Sequence, residues 1–233
     1  MDDEGARRPL KVRDAGPMQS FARWLSKRNI TPNQISVLSV VFALFAALCL
    51  LAINRSELLP AWAWLVLAAV SIQCRLLCNL FDGMVAVEGG KSTASGELFN
   101  DIPDRIADPL ILVAAGYVIP SAEWGIAVSY IPPSFEWSVA AGWCAGLLAV
   151  MTAYVRVLAA SIGAPVNFCG PMAKQHRMAI VTVACLVSTV ETFWWNQGTV
   201  LLVALIVIVA GCVVTVARRS YAAYAYLEKN KGA

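Results

Sequence analysis

Six apolar runs of about 20 residues each dominate this 233-residue sequence, and they constrain the fold more than any other feature. The hydrocarbon core of a bilayer is roughly 30 Å thick, so a helix needs about 20 apolar residues to cross it. Lipid offers the backbone no hydrogen-bond partners, so such runs must fold as helices. Only 14% of the residues are charged, against roughly a quarter in soluble domains. The sequence therefore predicts an all-α integral membrane bundle of six transmembrane helices, over residues 34–53, 60–82, 99–119, 137–160, 177–195 and 198–219.

The polar N-terminal segment predicts three further features. Residues 1–17 are charged and contain proline and glycine, which is typical of a flexible cytosolic tail, so the membrane domain is expected over residues 18–233. From Met18 to Lys27, apolar residues form one helical stripe beside basic residues. This pattern predicts an amphipathic helix in the membrane interface. Thr31 before Pro32 predicts the start of the first membrane helix, because proline suits the first helical position.

Lysine and arginine are distributed unevenly among the loops, and this distribution predicts the orientation of a multi-pass chain. Seven precede the first apolar run and four follow the last, whereas Arg55 alone falls on the predicted opposite side. Both termini are therefore expected in the cytoplasm. The net charge of +3 is too small to indicate a nucleic-acid partner.

Acidic and amide side chains gather between the second and third apolar runs, on the predicted cytoplasmic side. Asn79 and Asp82 share one helical face, and the next helix carries a ridge at spacings of four, made of Gly96, Asn100, Asp104 and Asp108. Carboxylates at this depth are costly in hydrocarbon and usually line a polar site. Hard oxygen ligands on two helices, with glycines that allow close approach, predict a site for Mg²⁺ and a diphosphate. Arg75, two turns before Asp82, is expected to pair with a carboxylate there.

The same stretch resembles the signature of the CDP-alcohol phosphotransferase family, D-x2-D-G-x2-A-R-x8-G-x3-D-x3-D. All the spacings are kept, and the matching positions are Asn79, Asp82, Gly83, Ala86, Val87, Gly96, Asn100 and Asp104. Five of these eight positions carry the family's residue. The exceptions are Asn79 and Asn100, which replace aspartates, and Val87, which replaces an arginine. The Thr-Pro-Asn at 31–33 also resembles a tripeptide that precedes the first membrane helix in this family.

The resemblance implies that the chain transfers a substituted phosphate from a CDP-linked donor to an alcohol acceptor and releases CMP. It implies a Mg²⁺ or Mn²⁺ cofactor on the diphosphate, with Asp82 as a metal ligand and Asp104 as a ligand and the general base. Asn79 and Asn100 would be neutral metal ligands, because an amide still offers a carbonyl oxygen. Whether one or two metal ions bind stays open.

Other positions near the signature complete the implied site. Gly83, Ala86 and Gly96 would line the nucleotide. Asp101 would replace Asn100 as a metal ligand if the helix turned slightly near Pro103, since Pro103 and Pro109 are expected to kink or restart the third membrane helix.

Three cations around the 161–177 loop predict a second anion site. Arg156 ends the fourth apolar run, and Lys174 and Arg177 begin the fifth, where the helix N-terminus already favours an anion. We expect them to hold a phosphate of the acceptor or of a membrane lipid. The alternative that they only anchor helix ends stays open.

Three interpretations of the function follow. The first is a transferase of phospholipid biosynthesis that uses CDP-diacylglycerol in a bacterial inner membrane, with a homodimer left open. The second is a non-catalytic relative that binds lipid or nucleotide, and the third is a small transporter whose acids bind a cation. The retained spacing with Gly83 and Gly96 favours the first two, and the retained Asp104 favours the transferase.

Overall fold

The computed structural model describes residues 16–28, 30–88, 90, 96–118, 136–193 and 197–230. Within these residues the chain is all-helical and has no strand, which confirms the predicted class. The helices are α1 (Gly16–Lys27), α2 (Pro32–Ala52), α3 (Ala61–Glu88), α4 (Gly96–Gly116), α5 (Trp137–Ser161), α6 (Lys174–Ser188) and α7 (Thr199–Lys229), with a 3-10 turn at Glu191–Phe193.

Four of these helices, α2, α3, α5 and α7, are long and apolar enough to cross a membrane. The other two predicted spans differ in composition or in length. Helix α4 carries acidic residues through its first turns, and α6 has 15 residues and begins Lys-Gln-His-Arg. Polar residues at the ends of both helices therefore lower their hydropathy, and the number of six transmembrane helices remains a prediction.

The N-terminal region contains both predicted helices. Thr31 Oγ1 accepts a hydrogen bond from the Gln34 amide at 3.3 Å, and Gln34 Oε1 accepts one from the Thr31 amide at 3.0 Å. This capping box starts α2 at Pro32, as predicted. Helix α1 starts at Gly16, two residues before the predicted stripe at Met18, and residues 1–15, where the tail is predicted, lie outside the described part.

Helix α1 packs on α3 through one face. The Phe21 and Phe81 rings lie 4.8 Å apart, and Ala22 is buried between the helices. Phe21 and Trp24 keep large exposed areas, while Arg23 and Lys27 are exposed as well. An apolar exposed surface beside cations is what the predicted interfacial helix requires.

The membrane-length helices pack through small residues. Helix α2 contacts α3 and α4, α5 contacts α4 and α7, and α3 contacts α6. Several alanines without exposed surface lie in these contacts, among them Ala43, Ala46, Ala68, Ala107 and Ala115. Small side chains let helix backbones approach closely, which is how helices associate when lipid removes the hydrophobic drive.

Helices α4 and α5 cross at a pair of glycines. A Cβ atom on Gly116 would lie 2.6 Å from the Ser138 carbonyl oxygen, and one on Gly142 would lie 2.9 Å from the Leu112 carbonyl oxygen. Helix α4 continues through Pro103 and Pro109, so the expectation that it restarts there is wrong, whereas the kink stays a prediction. The glycine crossing therefore holds an uninterrupted α4 against α5, which fixes the position of the acidic residues at its beginning.

Candidate functional site

Asp104 is the point where three helices meet. Its Oδ1 atom accepts hydrogen bonds from Arg75 Nη2 at 2.8 Å and from Asn79 Nδ2 at 2.9 Å, both on α3. Its Oδ2 atom accepts a hydrogen bond from Lys174 Nζ, at the first residue of α6. Only 7% of the Asp104 side chain is exposed. Two cations and an amide thus surround one buried carboxylate, and the predicted pairing of Arg75 with a motif acid is confirmed.

Asp108, one turn further along α4, lies in a second ion pair. Its Oδ2 atom accepts from Arg177 Nη2 at 2.6 Å and Nε at 3.2 Å. Arg75 Nη2 lies 2.6 Å from its other oxygen, although that contact lacks hydrogen-bond geometry. Arg177 also donates to Thr152 Oγ1 and to the Met172 carbonyl. This buried network joins α3, α4, α5 and α6 one turn of α4 beyond Asp104.

Asp82 has a different environment from Asp104 and Asp108. Its Oδ2 atom accepts from Ser36 Oγ on α2 at 2.8 Å, and its Oδ1 atom accepts from the Gly83 amide at 2.6 Å. Within the described part of the chain, no cation lies at salt-bridge distance from it. Asp82 therefore differs from Asp104 and Asp108, because both of its hydrogen-bond donors are neutral.

Asn100 and Asp101 lie towards the outside of the same helix. Asn100 is exposed, whereas Asp101 accepts from Arg105 at 2.9 Å and from Arg156 on α5 at 3.2 Å. Asp101 thus pairs with α5 and has no described contact with Asp104. The structure gives no support to the idea that Asp101 takes the place of Asn100 beside Asp104.

The three cations of the predicted phosphate site do not meet. Lys174 pairs with Asp104, Arg177 with Asp108, and Arg156 with Asp101. Arg177 is buried because it lies nearly one helical turn further along α6 than Lys174, level with Asp108. Lys174 and Arg156 remain partly exposed, so of the three only these two are accessible to a ligand.

A cleft next to Arg156 includes Arg219, which the sequence analysis counted only among the cations that predict the orientation. Arg219 on α7 donates to the Thr152 carbonyl at 2.5 Å and to the Cys169 carbonyl at 3.0 Å. The cleft is lined by Val155, Arg156, Ala159, Pro165, Asn167, Arg219, Ala222 and Ala223. Cys212, Thr215 and Arg219 follow one another at spacings of three and four, which was the signal that Arg219 faces inward.

The remaining signature positions lie around Asp82 and at the start of α4. Gly83 and Ala86 are half-buried on α3, and Gly96 is the first residue of α4. Val87, at the position of the family's arginine, is 56% exposed. Residues 91–95 lie outside the described part, so the nucleotide-binding role of these small residues stays a prediction.

The arrangement fits a divalent cation poorly. Mg²⁺ and Mn²⁺ need several oxygen ligands at once, yet no three Asp, Glu, His or Cys side chains in the described ranges converge to hold a metal ion. Both oxygens of Asp104 already accept hydrogen bonds. The buried atoms of the cluster without a hydrogen-bond partner are Arg75 Nε, Arg75 Nη1 and Asp108 Oδ1. Two of these three atoms are N–H donors, so most of the unsatisfied hydrogen-bonding groups would bind an acceptor and not a cation.

No family model and no curated protein matches the sequence. Solved structures of the phosphatidylinositol phosphate synthase of Mycobacterium tuberculosis do match the fold. The structure with CDP-DAG bound is 20% identical with a TM-score of 0.68, over 90% of this chain and 94% of that chain. The complex with manganese and citrate gives 19% identity and 0.68, over 89% and 88%, and the apo form gives 21% and 0.65, over 88% and 95%. That synthase is a CDP-alcohol phosphotransferase, so the resemblance inferred from the signature is confirmed for the fold.

Proposed function

We propose that this chain is a membrane transferase that moves a substituted phosphate from CDP-diacylglycerol to the hydroxyl of an alcohol and releases CMP, in phospholipid synthesis. The observation that carries the proposal is Asp104, a buried carboxylate in contact with the partly exposed ammonium of Lys174. The fold shared with a synthase structure that holds CDP-DAG supports the choice of donor.

The reaction needs a base and a counter-charge, and these two residues supply them. The acceptor oxygen forms a bond to the phosphorus of the lipid phosphate, and the bond from that phosphorus to the bridging oxygen breaks. CMP leaves with the bridging oxygen, and the hydroxyl proton passes to Asp104 and then to solvent. Lys174 stabilises the negative charge that develops on the departing phosphate.

Asp104 can accept a proton only when Lys174 leaves its Oδ2 atom. Lys174 is the first residue of α6, where unpaired backbone amides and the helix dipole attract phosphate. Its flexible four-carbon stem can follow an anion that arrives there. We therefore expect the diphosphate of the donor to draw Lys174 away from Asp104 and so to free the base for the acceptor hydroxyl.

The cleft between Arg156 and Arg219 is the best candidate for the acceptor. Arg156 lies 5.3 Å from the centre of the Phe168 ring, and its pairing with Asp101 is half-exposed and therefore weak. A negatively charged acceptor would compete for Arg156. Arg177, which the sequence grouped with these cations, instead holds Asp108 within the bundle.

A second candidate function is a non-catalytic relative that binds a lipid headgroup or a nucleotide. The observation that favours it is the pairing of Asn79 with Asp104, because an amide stands where the signature has an aspartate. In this case Asp104 would keep its partners and the bound molecule would not react.

The test is CMP release by the purified full chain in lipid nanodiscs with CDP-diacylglycerol. Acceptors would be offered in pairs, one phosphorylated and one not, such as inositol phosphate and inositol. Acceptor-dependent CMP release would support the transferase, and preference for the phosphorylated member would support the Arg156 cleft. Saturable binding of CDP-diacylglycerol without CMP release, across all acceptors and with Mg²⁺, Mn²⁺ or chelator, would support the non-catalytic candidate.

A further inference from the structure

The ion pairs of the Asp104 cluster leave no negative charge that a metal ion would have to offset. Two buried carboxylates, Asp104 and Asp108, contact three cations, Arg75, Lys174 and Arg177, and the formal charges sum to +1. Asp82 accepts from Ser36 and from the Gly83 amide and is not part of these ion pairs. The family signature has aspartates at positions 79 and 100, and these two negative charges would make the cluster net negative, which would favour a bound cation. In this chain both positions are asparagine.

We infer that Lys174 occupies, on Asp104 Oδ2, the place that a divalent cation would take, so that this site binds Mn²⁺ and Mg²⁺ weakly. The ammonium lies on the carboxylate oxygen that a metal would need, and it repels a second cation at that distance. For catalysis the inference rests on the proposed function: Lys174 would neutralise the diphosphate, and the transfer would depend little on added metal.

Asn79 supports this inference independently of Lys174. Its Nδ2 atom donates to Asp104 Oδ1 at 2.9 Å. An ionised aspartate at position 79 could not donate, and two carboxylates at that distance would repel each other unless a cation or a shared proton lay between them. The Asn79 amide therefore has two effects beside Asp104: it removes a carboxylate ligand for a metal ion, and it removes the repulsion that a metal ion would offset.

Arg75 provides a third observation. The side chain has no exposed surface, and its Nη2 atom lies 2.8 Å from Asp104 and 2.6 Å from Asp108. Its Nε and Nη1 atoms have no hydrogen-bond partner. A divalent cation on Asp104 would lie next to this buried guanidinium, and the repulsion is strong where water is excluded. The unused donors would instead suit water or a phosphate oxygen.

The experiment is a Mn²⁺ titration of the full chain in detergent, followed by the electron paramagnetic resonance of free Mn²⁺. Four variants accompany the wild type: Lys174→Met, Lys174→Arg, the double variant Asn79→Asp with Asn100→Asp, and Lys229→Met as a control on the exposed end of α7. We expect Lys174→Met and the double variant each to bind Mn²⁺ at least about tenfold more tightly than the wild type. Lys174→Arg and Lys229→Met should bind as weakly as the wild type.

The same samples allow a second measurement, the thermal unfolding temperature with chelator and with Mn²⁺. The wild type should unfold at the same temperature in both, whereas the double variant should be stabilised by Mn²⁺. The inference is overturned if the wild type binds Mn²⁺ as tightly as the double variant, or if Lys174→Met leaves the affinity unchanged while it remains folded. CMP release that is lost in chelator would also overturn it. Absence of CMP release under every condition would count against the proposed function, and the Mn²⁺ affinities would still decide the inference.

Discussion

The guanidinium of Arg75, on α3, lies 2.8 Å from the carboxylate of Asp104, on α4, and the pair is almost completely buried. Charges so far from water are stable only when each is matched, since removal of one partner leaves the other uncompensated. The pair also shares its arginine with Asp108. This relationship ties the stability of the bundle to the residue that we propose as the base.

We expect Arg75→Leu to destabilise the chain by about 3–5 kcal/mol, because it leaves Asp104 and Asp108 with one cation fewer in a buried site. Arg105→Leu is the matched control, since its pair with Asp101 is partly exposed and contributes about 0–1 kcal/mol. Unfolding of both variants in mixed detergent micelles would measure the difference. Equal losses of stability would show that burial of the Arg75 pair has no special effect.

We expect Asp104→Asn to lower the rate of CMP release by about 10²–10⁴, because the amide keeps the shape and loses the base. Binding of CDP-diacylglycerol should remain, measured by titration calorimetry. Asp101→Asn is the control, and it should keep most of the rate because Asp101 faces Arg156 on α5. A normal rate in Asp104→Asn would assign the base to another group.

We expect Gly142→Ala to destabilise the chain by about 1–3 kcal/mol, since the new methyl group would lie 2.9 Å from the Leu112 carbonyl oxygen. Gly16→Ala is the control, because no atom lies within 4 Å of its added Cβ. Thermal unfolding of both variants measures the effect. If Gly142→Ala were as stable as the control, α4 and α5 could move apart at this crossing without a loss of folding free energy.

We expect both ends of the chain to lie on the cytoplasmic side, as the distribution of lysine and arginine predicts. Epitope tags at each terminus and one in the loop between α2 and α3 would test this in intact cells and in inverted vesicles. Both terminal tags should be accessible only in inverted vesicles, and the loop tag only from the outside. Tags on the two termini with opposite accessibility would contradict an even number of spans.

Local signals in the sequence predicted local structure well. Thr31, Pro32 and Gln34 lie within four residues of one another, so their capping pattern could be read without knowledge of the fold. The pairing of Arg75 was predictable for a different reason, since a charge at that depth must find a partner. Each prediction rests on a free-energy cost to a single residue, from an unsatisfied backbone amide in the first case and from an unpaired charge in the second. That cost does not depend on how the rest of the chain is folded.

The partners of the cations depend on how whole helices are rotated, and the sequence does not contain this information directly. Lys174 and Arg177 are three residues apart, and they meet different aspartates because α4 runs past α6 with Asp104 and Asp108 one turn apart. The sequence did not predict the contacts of Arg219, because its partners, Thr152 and Cys169, are about 50 residues or more away in sequence.

The length of α7 fixes a depth for the chemistry. The helix rises about 1.5 Å per residue, so the 20 steps from Thr199 to Arg219 span about 30 Å, close to the thickness of the hydrocarbon core. With Thr199 at one surface of the hydrocarbon core, we expect Arg219 and the cleft that it lines at the level of the lipid headgroups on the other surface. At that level the acyl chains of the proposed lipid donor could stay in the bilayer while its diphosphate reached Lys174. The protein would thus work on its substrate in place, without extracting it from the membrane.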